Sequence, residues 1–279
     1  MNVSGKAHFE IFLNDKRFVA PHWHDSLEII SLSEGELLVS VDGRQYHLRG
    51  GDCIVLPPYS VHSALSTSGN SALLLQIPIG AFYDCLGSLA QARVLCDPFT
   101  SDRAQQECLT KVKNNLVRIM ELQAELRAGT KPGAGLKCAG VVLDILYDVY
   151  TELAVSEERG GNVLTSHKNR ERLSAVMAYT EAHYNEPITL EEAAERVHLQ
   201  VNYFCHIFKE STGMTYLQYL NEYRLGRIYQ DLIETEVPLK SLLERHGFTN
   251  YKLFRRMFAD HFGTTPGKLR KGVSGGRIR

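Results

Sequence analysis

The segment LEEAAERVHLQVNYFCHIFKESTGMTY, residues 190–216, is repeated in outline by LKSLLERHGFTNYKLFRRMFADHFGTTP, residues 239–266. In the first half of each copy the two align at an offset of 49, pairing Leu190 with Leu239, Ala193 with Leu242, Glu195 with Glu244 and Leu199 with Phe248. Beyond that the offset is 50, pairing Phe204 with Phe254, Ile207 with Met257, Phe208 with Phe258, Gly213 with Gly263 and Thr215 with Thr265. Apolar, polar and glycine positions all match, which marks a structural repeat rather than shared composition. The offset changes where two helices would turn, so each copy reads as a helix-turn-helix, over about 189–210 and 239–261.

Each copy has the local chemistry such a unit needs. Thr189 followed by Glu192 is a capping-box pattern for a leading helix, and residues 193, 194 and 197 are small or apolar enough to face a second helix across a tight turn. In that second helix Phe204, Ile207 and Phe208 point inward, leaving Asn202, Cys205, His206 and Lys209 outside by three- and four-residue spacing. The corresponding stretch of the second copy offers Asn250, Tyr251, Lys252, Arg255 and Arg256. A helix apolar on one side and basic on the other suits the DNA major groove, where Arg and Lys read guanine edges or neutralise phosphate. A solvated surface helix is the plain alternative for one copy; two in register favour the nucleic acid.

Charge points the same way. Residues 1–167 carry 14 Lys/Arg against 19 Asp/Glu, and residues 168–279 carry 17 against 13, so the C-terminal part is the one suited to an anion. The chain of 279 residues has room for two domains. No apolar run is long enough to span a bilayer, and MNVSGKAHFEIF lacks the basic and apolar regions of a secretory leader; no membrane partner and a cytoplasmic location are expected. The cysteines at 53, 85, 96, 108, 138 and 205 form no regular spacing, which excludes a disulfide framework or zinc ribbon and leaves them as small, partly buried hydrophobes.

The N-terminal part has a different period. From about Phe9 to Ile79 it alternates apolar and polar residues and is cut at Glu34-Gly35, Asp42-Gly43 and Gly50-Gly51, the pattern of a small antiparallel barrel. Leu109, Val112, Leu116, Ile119 and Leu126 then mark a helix with one apolar stripe, broken by residues 129–135, and a second helix carries Val142, Ile145, Leu146, Val149 and Leu153. Such a stripe either packs on the barrel or pairs with a second copy of the chain; periodicity alone leaves both open. The expected fold class is α+β: an antiparallel barrel over 1–80, a helical, dimerising segment over 81–155, a polar linker over 156–169, and an all-α domain over 170–272. The final GGRIR reads as a frayed end.

Within the barrel, PHWHDSLE (21–28) puts His22, His24 and Glu28 on one face of an extended chain, and His62 follows downstream. Three imidazoles and a carboxylate suit iron, manganese, nickel or zinc. Trp23 lies on the opposite face and is expected to pack under the barrel.

Two resemblances organise these features. GFTNYKLFRRMFADHFGTTPGKLRK resembles the second helix-turn-helix of AraC/XylS-type transcription regulators through Gly247, Phe248, Phe254, Arg256, Phe258, Phe262, Gly263, Thr265, Pro266 and Arg270, and the likeness extends over about 168–272. It implies two helix-turn-helix units joined by a long helix, about Tyr216–Thr235, with both recognition helices in successive major grooves of double-stranded DNA. His206 stands where the family usually has Arg, and Cys205 where it has a small polar residue. Upstream, His22-x-His24-x3-Glu28-x6-Gly35 and the run from Gly51 through Pro57 to His62 are similar to the two cupin motifs, and all four positions that bind metal in catalytic cupins are present.

The resemblances imply a transcription regulator whose cup, lined by His22, His24, Glu28 and His62, senses a small-molecule effector such as a sugar or related metabolite. A homodimer is expected, with RNA polymerase as a further partner if the protein activates. No cofactor is required, although the same four residues could hold a divalent metal. The alternative is a cupin metalloenzyme that uses those residues for catalysis; it leaves the duplicated basic helices without a purpose.

Overall fold

The computed structural model describes residues 2–3, 7–8, 10–13, 18–66, 70–95, 97–155 and 167–276, with side chains from Phe18 onward except at Gln91, His167 and residues 272–276. Residues 156–166 of the expected linker and the terminal residues 277–279 lie outside them.

The N-terminal part is antiparallel. Asn2–Val3 (β1) pairs with Ala7–His8 (β2), and Glu10–Leu13 (β3), Phe18–His22 (β4) and Ser26–Val41 (β5) follow. Then come Arg44–Arg49 (β6), Cys53–Leu56 (β7), His62–Leu65 (β8) and Asn70–Pro78 (β9). Strands β3 to β9 form one seven-stranded sheet in the order β3-β9-β5-β8-β4, with β6 and β7 also paired to β5. The Asp42-Gly43 turn joins β5 to β6 with both residues at positive φ, 47° and 80°, the backbone that a two-residue hairpin needs.

Glu34-Gly35 does not end a strand as expected. Strand β5 continues through it, with Glu34 and Gly35 paired to Ser71 and Asn70; the register against β9 shifts just before them, between Leu32 and Glu34, so the bulge falls at Ser33.

Both faces of β5 are covered. Leu27 and Ile29, with Val55, Leu75 and Ile77, pack outward on helices, while Ile30, Leu32, Leu37 and Val39, with Ile54 and Leu74, fill the concave side. Glu28 alternates with Leu27 and Ile29 and therefore shares the face of Ile30.

A short helix Tyr83–Leu86 (α1) and a strand Arg93–Val94 (β10) lead to Arg103–Arg127 (α2) and Ala134–Asp148 (α3), and Ala154–Val155 (β11) returns to pair with β10. Leu109, Val112, Leu116 and Ile119 of α2 are buried with Val142, Ile145, Leu146, Val149 and Leu153 against the sheet. The stripe seen in the sequence is therefore core, except Leu126, which is exposed. A different set, Val117, Met120, Leu143 and Tyr147, faces solvent.

The C-terminal part is all helical: His167–His183 (α4), Leu190–Arg196 (α5), Val201–Thr212 (α6), Tyr216–Glu234 (α7), Leu239–Arg245 (α8), Tyr251–Phe262 (α9) and Pro266–Gly276 (α10). The expected linker positions 167–169 already belong to α4. The Thr189–Glu192 capping box forms at α5 with both of its hydrogen bonds. Each helix-turn-helix has its own core. The first gathers Leu173, Val176, Ala193, Val197, Phe204, Ile207 and Phe208; the second gathers Leu242, Leu243, Phe248, Phe254 and Phe258; α7 contributes to both.

The sheet and the helical units meet along β4. Phe18 is buried in the core of the second unit, its ring edge-on to Tyr229 and Phe262. Gly226 of α7 lies against Ala20, where an added Cβ would collide with the Ala20 methyl. Val61 enters the core of the first unit, and Trp23 packs there too rather than under the barrel. Of the cysteines, Cys53, Cys108 and Cys138 are buried, but Cys85 is exposed because it sits on the solvent side of the single-turn α1.

Candidate functional site

The chain carries two candidate sites, the cup and the pair of recognition helices. In the cup, a strand end, a loop and two neighbouring strands bring the four sequence-predicted residues together. His22 ends β4 directly opposite His62 of β8, with ring centroids 4.2 Å apart, and the His24 ring lies 4.8 Å from that of His62. Glu28 reaches in from β5. One ligand atom from each of the four lies within 4.8 Å of the others.

Hydrogen bonds decide which nitrogen of each ring faces inward. His22 Nδ1 lies 3.0 Å from the Ala20 carbonyl and His62 Nδ1 3.1 Å from that of Ser60; carbonyls only accept, so both rings carry their proton on Nδ1 and turn Nε2 into the cup as a lone pair. His24 differs. Its Nδ1 accepts from the Ser26 N–H at 3.3 Å, so Nε2 holds the proton and donates to Glu28 Oε2 at 3.0 Å. The Gln76 amide, cross-strand from Glu28, donates to the same oxygen at 2.6 Å.

The electrostatics follow from this packing. Burial pushes the His22 imidazole down to about 3, helped by neighbouring His62, so it is neutral at any physiological pH. Burial pushes the Glu28 carboxyl up, but the hydrogen bond from His24, the nearby His62 ring and the Gln76 amide outweigh it and hold the group well below the usual carboxylate range. A neutral imidazole beside an ionised carboxylate is the protonation state that binds a cation.

The buried His62 Nε2 has no hydrogen-bond partner, and at 3.6 Å from Glu28 Oε2 it leaves a gap between two lone-pair donors. His22, His62 and Glu28 therefore fit a divalent transition metal as they stand. Their Nδ1–H to carbonyl bonds are the supporting contacts that metal-bound histidines use. His24 fits once its Nε2 gives up the proton now shared with Glu28. Gln76 could not be read from the sequence, since only the β5–β9 register brings it to Glu28.

The recognition helices are α6 and α9. Asn202, His206 and Lys209 on α6, and Tyr251, Lys252, Arg255 and Arg256 on α9, are exposed with the aromatic core behind them. Cys205 departs from the expected outer face: it is half-buried against the first core because it lies next to Phe204 on the helix turn. Asn250 is the cap of α9, its side chain accepting from the Leu253 N–H at 2.9 Å, so its oxygen is already engaged. His206 is 3.6 Å from Glu210, whereas Arg255 and Arg256 have no acidic partner among the described residues.

Comparison with known proteins places both halves. A model of the AraC-like ligand binding domain matches residues 9–128, and a model of the helix-turn-helix domain matches residues 193–272. The chain is an AraC-type transcription regulator. Among its relatives, the HTH-type transcriptional regulator YobQ of Bacillus subtilis (strain 168) is 26% identical over 251 residues, covering 90% of this chain and 88% of its own length. The HTH-type transcriptional activator RhaS of Salmonella schwarzengrund (strain CVM19633) is 26% identical over 258 residues, covering 90% and 87%. ToxT from Vibrio cholerae shares the fold, with a TM-score of 0.50 and 10% identity over 95% of this chain and 97% of that one. This regulator thus joins a ligand-binding cupin-like domain to a DNA-binding helical domain, and its relatives are regulators rather than enzymes. Among the described residues no helix is long and apolar enough to cross a membrane.

Proposed function

We propose that the regulator senses a small-molecule effector in the cup lined by His22, His24, Glu28 and His62, and passes that event to the DNA-binding domain through β4. The observation that carries this reading is that one five-residue strand serves both sites. His22 sits at its cup end, while Phe18 and Ala20 are held by α7, α9 and the second core. A ligand that rotates His22 or draws it toward Glu28 pulls on a strand whose other end is packed into a DNA-reading unit. Regulation follows if the effector prefers one arrangement of this junction over another.

The four cup residues would recognise a polyhydroxy or carboxylate ligand by hydrogen bonding. The unpartnered His62 Nε2 specifically favours a second component: His22, His62, Glu28 and, after losing its proton, His24 would hold a divalent metal. The metal would supply a Lewis-acid contact for an effector oxygen. DNA contacts are assigned to Asn202, His206 and Lys209 in the first unit and to Tyr251, Lys252, Arg255 and Arg256 in the second, with Cys205 and Asn250 supporting the helices. The exposed Val117, Met120, Leu143 and Tyr147 are the surface offered for a homodimer, and RNA polymerase is a partner where the protein activates.

The test is a thermal-shift screen of small metabolites on the purified full-length protein, with and without Zn²⁺ or Mn²⁺, alongside elemental analysis. At least one compound or metal should raise the melting temperature of the wild type, fail to do so in His62→Ala, and change DNA affinity. Ligands that stabilise His62→Ala equally well would sink the assignment of the cup.

A further inference from the structure

DNA sites for two helix-turn-helix units are defined by base sequence and also by the distance between the two contacted grooves. A change of one base pair shifts the second groove by about 3.4 Å and about 35°. Whether one chain tolerates such a shift depends on how stiffly its two units are joined.

Here the apolar cores do not join them. Tyr216, Tyr219 and Leu220 of α7 belong to the first core, and Leu225, Ile228, Tyr229 and Leu232 to the second. At the boundary stands Arg224, buried, whose Nε donates to the Tyr184 carbonyl at 2.6 Å and Nη2 to the Glu186 carbonyl at 2.7 Å. This fastens the turn between α4 and α5 onto α7.

From that same turn the Tyr184 ring stacks on His246, at the end of α8 in the second unit, with centroids 5.8 Å apart and planes 19° from parallel. The Tyr184 hydroxyl lies 3.1 Å from His246 Nδ1. His246 is buried, and its Nε2 lies 2.9 Å from Asp231 of α7, an oxygen also approached by Arg245 at 3.2 Å. Since a carboxylate only accepts, His246 Nε2 donates and Nδ1 accepts the tyrosine proton. Beside this, Gly247 (φ 66°) lies against the Asn185 carbonyl so closely that no Cβ fits.

We propose that Tyr184, Arg224, Asp231 and His246 form a polar bracket that sets the separation and twist of the two recognition helices, making them spacing-determining residues for DNA recognition. None of them lies on α6 or α9. Their bonds link three elements, the α4–α5 turn, α7 and the α8–α9 turn, and every polar atom involved is directional, whereas the separate apolar cores would let α7 flex between the units. The inference rests on the DNA-binding function of both units.

The experiment is selection of binding sites from a random duplex pool by the full-length protein, followed by affinity measurements on the winning site and on versions with one base pair inserted or deleted between its two contacted blocks. Wild type should choose a single spacing. Tyr184→Phe, which deletes one oxygen and retains the stacked ring, and His246→Leu should each reduce discrimination against the shifted sites by about three- to tenfold, the size of one net hydrogen bond. Affinity for the best site should change less. The double variant should lose no more than His246→Leu alone, because both act through one contact. If His246→Leu does not fold, Tyr184→Phe carries the test. Unchanged discrimination in a folded variant, or an equal loss at all spacings, overturns the bracket. Failure of the wild type to select any two-block site overturns the premise that the units read DNA together.

Discussion

The two helix-turn-helix units are built alike where they must fold and differently where they meet their surroundings. Phe204 and Phe254, and Phe208 and Phe258, are buried at equivalent places, and Gly213 and Gly263 close α6 and α9 in the same left-handed conformation. The turn differs. Its left-handed position is His198 (φ 55°) in the first unit and Gly247 (φ 66°) in the second, where the Asn185 carbonyl leaves no space for a side chain. The outer faces also differ, with a histidine paired to Glu210 on one and adjacent free-standing arginines on the other. Core and caps are what make the unit, so both copies keep them. The rest differs with the surroundings: the second unit carries the more basic outer face and takes Phe18 of the sensor into its core, while the first takes Val61 and Trp23.

The contrast can be broken most forcefully at the turns. Gly247→Ala should destabilise the protein by about 2–4 kcal/mol, since alanine in the left-handed region costs about 1–2 kcal/mol and here also meets a backbone oxygen. Chemical denaturation should show it, and a neutral outcome would mean that the two turns are interchangeable. At the DNA face, Arg256→Ala should cost about 1–3 kcal/mol of binding if it reads a base, or lower the salt slope by about one if it contacts phosphate. His206→Ala should cost less than either because its partner competes for it. Equal losses in a gel-shift titration would contradict the division of labour.

His198→Gly runs the turn experiment in reverse and should raise stability by up to about 1 kcal/mol, a shift readable in the same denaturation curves. The smallest effect expected is in pH dependence. Burial alone would lower the His261 imidazole, but the Glu222 hydrogen bond and charge and the Met257 carbonyl raise it. A group with a raised native pKa contributes stability that is complete below the ordinary histidine value near 6.5 and is lost as pH rises through the native value. Protection factors in α9, corrected for the base-catalysed intrinsic exchange rate, should therefore fall over that interval and stay level in His261→Gln. The first unit has Ser211 at this place, so α6 should show no such trend.

Much of this architecture is legible from residue order because the signals are local. The capping box at Thr189 and the Asp42-Gly43 hairpin depend on residues a few places apart, and the repeat copies such local patterns at an offset of 49 to 50; each forms as the spacing predicts. Glu34-Gly35 misleads because a glycine signals backbone freedom without saying whether the chain turns there or the strand runs on. The α2 stripe was equally compatible with a partner chain or the sheet, and only packing sends Leu109 to Ile119 inward. Trp23 lies in the loop after β4 rather than in a continuing strand, and what it meets is a different domain.

The sequence by itself thus determined the two kinds of unit and their order, which follow from periodicities of two and 3.6 residues and from local turn chemistry, and its cupin-like motifs named His22, His24, Glu28 and His62 as one cup. Tertiary structure alone decided that the cup residues come from the end of β4, the loop after it, β5 and β8 rather than from one extended face, that Gln76 joins them, that β4 is shared between the cup and the DNA-binding domain, and that Tyr184, Arg224 and His246 brace the two units. Such contacts join residues from 40 positions apart, as in Tyr184 and Arg224, to 211 apart, as in Phe18 and Tyr229. No local propensity encodes them; they come from strand register and from the burial of polar groups that must find partners wherever the folded chain brings them.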